Sequence, residues 1–242
     1  MTKLKGILLT EGMHGMISQV EGLAKALDIN YSHHTVETKG FWKVIPPKFT
    51  PISDSVFKKI ECEDVDLIIS CGRKSIIPSL FLKKNSKKKV FNIHIQNPKI
   101  KLDNFDLVVV PEHDNLDGDN VLKTKGAIHY LTSEEIEKDK EYLFSISSKL
   151  RDKNIISLII GGPTQYYDYS DRNIQEIFSK VNYLVKENNL NLVVIPSMRT
   201  PKGTIEHAKI YFGNDHLVLD SVDKKAYFCL LYTSPSPRDE KV

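Results

Sequence analysis

The densest group of chemically versatile side chains in the sequence is formed by Glu112, His113 and Asp114. They follow the apolar run 105–111 (FDLVVVP), which is typical of a buried strand. A loop at this point can turn the imidazole inward, with a neighbouring carboxylate orienting its ring. We therefore predict catalytic roles for this group. The alternative is a loop network in which Asp114 caps a turn with Asn115.

A second group follows two apolar runs in the later part of the chain. Gly161 and Gly162 come after the run 155–160, and glycines at that point allow backbone amides to approach a phosphate closely. The next strand, 192–195, is followed by two hydroxyls and a guanidinium, which suit a diphosphate. These residues are Ser197, Arg199 and Thr200. An arginine on a solvated loop is the alternative interpretation.

The stretch 6–27 combines a strand, a glycine turn and an amphipathic helix. Such a turn at the carboxyl end of a first strand is a common ligand site in α/β sheets. Gly12, Gly15 and Gln19 are therefore candidate binding residues, although the glycines can equally serve only to make the turn. Arg73 follows the buried run 65–71, where it can reach an anion or pair with a carboxylate such as Glu112.

The elements that must position these residues alternate between strand and helix, and the pattern restarts near residue 155. This predicts an α/β protein with two Rossmann-like domains, residues 1–150 and 151–228. The region 133–149 is predicted as one long charged helix. Trp42, in a proline-rich loop, is expected to pack against the sheet, and His94, within a strand, is expected to be a core residue.

Composition narrows the function classes. The chain has 242 residues, 40% of them hydrophobic, and a net charge of +3, so a nucleic-acid partner is not expected. Its three cysteines lack metal spacing, and no metal site or cofactor is predicted. We expect a cytoplasmic protein, because no apolar run approaches the roughly 18 residues that span a bilayer. The lysine run 83–89 suggests either a solvated turn or peripheral contact with the inner face of a membrane.

The tail has a different character. Residues 229–239 (CLLYTSPSPRD) match one reading frame of a common sequencing adapter. We therefore expect 229–242 to be non-native, the natural product to continue beyond Phe228, and the second domain to be truncated.

Several dispersed motifs resemble the mitochondrial fission ELM (elongated mitochondria) family. The first turn and helix are similar in Glu11, Gly12, Gly15, Gln19, Gly22, Leu23 and Ala24. Further matches are Cys71-Gly72-Arg73, Gln96-Asn97-Pro98, Pro111-Glu112-His113-Asp114 and Ser197-Met198-Arg199-Thr200-Pro201. The chain departs from the family where Glu11 and Asn97 replace aspartates and Met198 replaces an arginine. By this resemblance Gln96 and Asn97 join the candidate binding residues, and Asn97, as an amide, is assigned hydrogen bonding only.

The family is similar in architecture to GT-B glycosyltransferases, with an acceptor side and a donor side. The resemblance implies a nucleotide-sugar-binding, metal-independent glycosyltransferase-like protein with an unknown acceptor. His113 would then be the base for an acceptor hydroxyl, and Gly161, Gly162, Ser197 and Arg199 would hold the donor phosphates.

The alternative is a non-catalytic adaptor, because plant members of the family recruit a dynamin-related GTPase to mitochondria. A bacterial-looking chain without a presequence argues against organelle fission itself. A nucleotide-sugar epimerase is disfavoured, since the sequence lacks a full G-x-G-x-x-G and a Tyr-x-x-x-Lys pair at a suitable place.

Overall fold

The computed structural model describes residues 3–61, 64–164 and 169–233. The chain divides into two compact units, Met1–Leu131 and Thr132–Val242. The sequence placed the division between residues 150 and 151, so the boundary differs. The physical reason is that Leu143 and Leu150 are buried in one cluster with Val193 of the second unit.

The first unit is a six-stranded sheet in the order β2-β1-β3-β4-β5-β6, and every neighbouring pair is parallel. Its helices and strands are β1 (Lys5–Thr10), α1 (His14–Ala26), β2 (Asn30–Thr35), β3 (Leu67–Cys71), α2 (Ile76–Asn85), β4 (Phe91–Ile95), β5 (Leu107–Pro111) and β6 (Val121–Thr124). Every residue of β3 is buried. A strand covered on both faces has this near-continuous apolar character, which is why the run was recognisable in the sequence.

Two apolar clusters cover the two faces of this sheet. Val20 and Ala24 of α1 pack with Leu8 on one face. Ile76 and Leu80 of α2 lie in the cluster that covers the other face. Helices on both faces of a parallel sheet define a Rossmann-like unit, so the predicted fold class is confirmed.

Two predictions about single residues are also confirmed. Trp42 packs against the cluster that contains α2. His94 is fully buried, with Nδ1 2.9 Å from Ser70 Oγ and its ring stacked on Phe105. Burial lowers the pKa of His94 to about 3, so this histidine is a neutral core residue.

The prediction of one long helix over 133–149 is wrong. The segment forms two short helices, α3 (Ser133–Asp139) and α4 (Tyr142–Ile146), and then a 3-10 turn over Ser148–Arg151. The backbone leaves the helical conformation at Ser147, which is extended (φ −143°, ψ 105°), and Leu143 and Leu150 on either side of it are both buried in the core of the second unit.

The second unit contains a parallel sheet in the order β7-β8-β9. Its other elements after α4 are β7 (Ile155–Ile160), α5 (Asp171–Glu187), β8 (Asn191–Pro196), α6 (Lys202–Phe212), β9 (Leu217–Val218) and α7 (Lys224–Thr233). Phe178 of α5 and Phe212 of α6 pack with Val194 on one face. The second unit therefore repeats the layered α/β construction of the first.

The expected non-native tail begins inside an ordered element. Helix α7 continues to Thr233 and buries Cys229 and Leu230 with Val193. Residues 234–242 lie outside the described part of the chain. No helix that the structure describes is both long enough and apolar enough to cross a membrane.

Candidate functional site

The strand order places a natural ligand position between β1 and β3. The chain leaves β1 toward β2 on one side of the sheet and returns to β3 on the other. At such a switch point the turns after the two strands diverge and leave a crevice at the carboxyl edge. The turns concerned are Glu11-Gly12 after β1 and Gly72-Arg73-Lys74 after β3.

Glu11 ties these two turns together. Its Oε1 accepts a hydrogen bond of 3.0 Å from the backbone N–H of Lys74, and its Oε2 lies 3.2 Å from Lys74 Nζ. Gly72 has φ +96°, and a Cβ there would lie 2.7 Å from Met16 Sδ and 2.9 Å from Glu11 Oε1. Glutamate in place of the family aspartate therefore has a structural task, which the sequence did not reveal.

A second network, which sequence reasoning missed, supports the first turn. His33 Nε2 on β2 lies 2.8 Å from Thr10 Oγ1, and the N–H of Gly12 donates to the same oxygen at 3.1 Å. Gly12 has φ +84°, so glycine is needed to make this turn. Burial lowers the pKa of His33, an effect that Glu21 partly opposes. The sequence feature that could have indicated this network is a threonine two residues before a glycine at the end of a strand.

Gly15 and Gln19 lie at the start of α1. A Cβ at Gly15 would meet nothing within 4 Å, so the space beside it is open. Gln19 Nε2 donates to the Gly15 carbonyl at 3.2 Å, within the same helix. The first turn of α1 has no acidic residue and no side-chain cap. Its amides and the positive end of the helix dipole therefore remain suited to an anion.

Arg73 does not pair with Glu112 in the described residues, and its contact with an anion stays a prediction. Its Nη2 donates to the Lys43 carbonyl at 3.1 Å, and no ion pair joins it to Glu112 in the described residues. Arg73 therefore connects the turn after β3 to the loop that follows β2.

Gln96 and Asn97 end β4 at the same edge of the sheet. Gln96 has φ +87°, a conformation that is costly for a residue with a side chain, and its N–H donates to Val109 O at 2.8 Å. Asn97 Oδ1 accepts from the N–H of Lys99 at 3.0 Å, so Asn97 caps a turn.

Glu112, His113 and Asp114 form a single 3-10 turn after β5. The His113 side chain is 76% exposed, and its Nε2 is 3.7 Å from Asp114 Oδ1, which is too long for a hydrogen bond. β5 lies three strand positions from β1. At a spacing of about 4.8 Å, this separates the two turns by roughly 14 Å along the edge. Any ligand that touches both His113 and the first turn must therefore span roughly 14 Å.

In the second unit, one hydroxyl joins the turns after β7 and β8. Thr200 Oγ1 accepts a hydrogen bond from the N–H of Ser197 at 2.8 Å. Its hydroxyl hydrogen is shared between two carbonyl oxygens, Ile160 O at 2.7 Å and Gly161 O at 2.9 Å. The Tyr169 hydroxyl also donates to Gly161 O, at 2.8 Å. Ser197 Oγ accepts from the N–H of Arg199 at 3.3 Å. Ser197 and Thr200 thus use their hydroxyls within the protein to hold the shape of this edge.

The two glycines of this edge have different roles. A Cβ at Gly162 would lie 2.1 Å from the Arg199 carbonyl oxygen, so glycine is required for the two turns to pack. A Cβ at Gly161 would meet nothing within 4 Å. The glycine at position 161 therefore leaves room for a ligand to approach the backbone closely. The glycine at position 162 is explained by the packing of the two turns.

Arg199 itself is exposed, and its guanidinium makes no hydrogen bond or ion pair within the described part of the chain. It is followed by α6, whose first turn has no acidic residue and no side-chain cap. An unpaired cation beside an uncapped helix start favours a bound anion.

No group of three or more histidine, cysteine, aspartate or glutamate side chains that could hold a metal ion occurs among residues 3–61, 64–164 and 169–233.

Two Rossmann-like units with candidate sites at the carboxyl ends of their strands are the components of the GT-B fold class. Solved structures agree with this fold. A co-structure of S. aureus MnaA with UDP matches 97% of this chain and 73% of its own length, at 14% identity and a TM-score of 0.51. A UDP-GlcNAc 2-epimerase from Methanocaldococcus jannaschii matches 93% of this chain and 75% of its own, at 10% identity and a TM-score of 0.50.

The family model for mitochondrial fission ELM1 matches residues 14–235. The chain therefore belongs to the mitochondrial fission ELM1 family, as the motifs predicted. No curated protein matches the chain.

Proposed function

We propose that this chain is a glycosyltransferase-like protein that binds a nucleotide sugar, with the donor diphosphate at the carboxyl ends of β7 and β8. The observation that carries the proposal is the unpaired guanidinium of exposed Arg199, held at this edge by the Ser197–Thr200 turn. A guanidinium can bind two phosphate oxygens at once.

Two neighbouring features support the same ligand chemistry. The uncapped start of α6 adds the partial positive charge of a helix N-terminus. Gly161 leaves open space where a Cβ would stand, so a phosphate can approach the backbone there. The two structural neighbours are described as a UDP complex and a UDP-GlcNAc 2-epimerase, which favours a uridine nucleotide for the first trial.

In the proposed reaction, His113 takes the proton from an acceptor hydroxyl. The hydroxyl oxygen then forms a bond to the anomeric carbon of the sugar, and the bond from that carbon to the diphosphate oxygen breaks. Arg199 and the α6 amides stabilise the charge that develops on the leaving diphosphate. Imidazole is suited to the proton transfer, and the exposed position of His113 leaves it accessible to an acceptor.

The test is calorimetric titration of the full chain with UDP, GDP, ADP and CMP and with their sugar conjugates. We expect saturable binding of one nucleotide class. Arg199→Ala should weaken it by about tenfold to a hundredfold, the equivalent of losing a charge-assisted hydrogen bond. Arg172→Ala is the matched control, because Arg172 is an exposed arginine of the same unit on α5. Equal loss in both variants would contradict a specific diphosphate contact.

His113→Ala is tested separately, by transfer of labelled sugar to candidate acceptors at saturating nucleotide sugar. Transfer should fall while nucleotide binding stays unchanged. Undiminished transfer would remove the base role of His113.

A second candidate is a non-catalytic adaptor, which the family's association with mitochondrial fission favours. The absence of binding across the whole nucleotide panel would support the adaptor. Conversion of a nucleotide sugar to its epimer without any acceptor would instead show an epimerase.

A further inference from the structure

The loop between β2 and β3 is closed at its base. The N–H of Lys39 donates to Val56 O at 2.8 Å, and the N–H of Lys58 donates to Glu37 O at 2.8 Å. Thr38 and Phe57 form an antiparallel bridge between these bonds. Residues 39–57, called here the β2–β3 loop, therefore form a compact loop whose ends lie side by side.

This loop is seated firmly on the first sheet. Val56 and Phe57 are buried, and Trp42 packs against the same cluster. The Arg73 guanidinium donates to the Lys43 carbonyl at 3.1 Å, and Thr50 Oγ1 donates to the Pro46 carbonyl at 3.0 Å. The cavity beneath the loop measures about 20 Å³, room for a single water. The inner face of the loop is therefore occupied by the protein itself.

Three large apolar side chains of the same loop are exposed. Phe41 is 62% exposed, Val44 76% and Phe49 71%. Three large apolar side chains within nine residues are held out of the core by a loop that is otherwise well packed. Single exposed apolar residues are ordinary, but three within nine residues of one anchored loop are typical of an interaction surface.

The charges in this loop and at its base are mostly positive. The sequence from 37 to 59 contains five lysines, at 39, 43, 48, 58 and 59, and two acids, Asp54 and Glu37, of which Glu37 pairs with Lys58 and also interacts electrostatically with Lys43. Among the described residues, no salt bridge holds Lys43, Lys48 or Lys59, and Lys48 Nζ lies 5.8 Å from the centre of the Phe49 ring. Aromatic and aliphatic groups bordered by free lysines match the chemistry of a bilayer interface with anionic headgroups.

The lysine run 83–89 has no exposed large apolar side chain, and two of its five lysines are paired. Lys83 pairs with Asp106 and Lys88 with Asp66, both at 2.7 Å. These carboxylates precede β5 and β3, so the run lies at the amino edge of the sheet, opposite the β2–β3 loop. Its solvated-turn interpretation is the better one.

We propose that the β2–β3 loop is a docking surface for an anionic phospholipid bilayer. Phe41, Val44 and Phe49 enter the interfacial layer, and Lys43, Lys48 and Lys59 lie against the headgroup phosphates. Docking in this way requires no movement of the loop base. The proposal does not depend on nucleotide-sugar binding, and neither result decides the other.

The test is co-sedimentation of the full chain with vesicles of phosphatidylcholine and phosphatidylglycerol in a 4:1 ratio, compared with phosphatidylcholine alone. We expect sedimentation with the anionic vesicles, weakened by salt because the Debye length shrinks from about 10 Å at 0.1 M to about 3 Å at 1 M. The double variant Phe41→Ser/Phe49→Ser should lower the partition coefficient by at least about tenfold.

The matched control is Tyr183→Ser/Ile210→Ser, which removes two apolar side chains, 63% and 81% exposed, from the second unit. Far-UV circular dichroism and thermal melting establish that both double variants fold. Retention of vesicle binding by the control and its loss in the loop variant would support the proposal.

Three outcomes would overturn the proposal. They are no sedimentation with anionic vesicles, equal sedimentation of the wild-type and loop variants, and equal binding to neutral and anionic vesicles. A concentration-dependent dimer that the loop substitutions abolish, without vesicle binding, would instead identify a second copy of the chain as the partner.

Discussion

Replacing Thr200 by valine removes the hydroxyl that joins the turns after β7 and β8 while keeping the shape of the side chain. In the structure this oxygen accepts from Ser197 N–H at 2.8 Å, and its single hydrogen is shared between the carbonyl oxygens of Ile160 at 2.7 Å and Gly161 at 2.9 Å. The substitution therefore tests whether the candidate donor edge depends on this one group.

The magnitude follows from what each partner retains. Ile160 O keeps a hydrogen bond of 3.0 Å from Ser197 N–H, and this same bond satisfies the Ser197 donor. Gly161 O keeps the Tyr169 hydroxyl at 2.8 Å, and because burial raises the pKa of Tyr169, that hydroxyl remains a donor. Ser197 Oγ, 3.1 Å from Thr200 Oγ1, keeps the Arg199 N–H at 3.3 Å and is half-buried, so water can replace the lost contact. The loss is therefore about 1–2 kcal/mol, the net value of the hydrogen bonds removed.

Hydrogen–deuterium exchange measures this loss locally. We expect amides in the peptides covering 155–164 and 191–200 to exchange about 5- to 30-fold faster in Thr200→Val, with the first unit unchanged. Nucleotide affinity should fall in parallel, because a looser turn holds Arg199 less well. Thr200→Ser keeps the hydroxyl and is the control. If valine and serine variants exchange at the same rate, the hydroxyl does not hold the edge.

Three further predictions concern other parts of the fold. Trp42 is the one tryptophan of the sequence, so its fluorescence reports on unfolding of the first unit. Gly72→Ala should destabilise that unit to urea by about 1–3 kcal/mol, because φ is +96° and the new Cβ would overlap Met16. The pKa of His94 is about 3 in the folded chain, below its ordinary 6.5. The unfolded chain therefore binds the proton more readily than the folded chain, so protonation favours unfolding. The stability that is present above pH 6.5 is lost as the pH falls below that value. Between pH 7 and pH 5 the loss should be about 2 kcal/mol, and a His94→Asn variant should lack it. Leu143→Ala should destabilise the second unit by about 2–5 kcal/mol, as measured by hydrogen exchange. The unfolding transition of the first unit, reported by Trp42 fluorescence, should stay unchanged.

Each of these has an outcome that contradicts it. An unchanged urea midpoint for Gly72→Ala would mean that the turn after β3 relaxes without cost. A flat pH dependence of the wild-type chain would mean that His94 is not buried neutral. A shifted Trp42 transition in Leu143→Ala would place the 133–151 segment with the first unit.

The alternation of strands and helices could be predicted from the sequence because burial on both faces of a parallel strand needs a continuous apolar run. Runs such as 65–71 and 155–160 identified strands that the structure contains as β3 and β7. Parallel strands, in turn, bring their carboxyl ends to one edge, so the polar residues that follow them were recognisable as candidate site residues. Family membership followed from the same residues.

The segment 133–149 could not be predicted in the same way. Its charged, helix-favouring composition is compatible with one long helix, but in the structure the backbone is extended at Ser147 and the helix ends before it. The boundary between the units moved because Leu143 and Leu150 are buried with residues of the second unit. Contacts between distant parts of the chain overrode local propensity.

The sequence by itself thus determined the α/β class, the family and the set of candidate residues. The tertiary structure decided which contacts each candidate makes within the protein. It showed that Gly162 is needed for packing, whereas Gly161 faces open space. It also showed that Arg73 is engaged, whereas Arg199 is unpaired within the described residues. These distinctions depend on which distant atoms stand beside each residue, and residue type and spacing do not specify that.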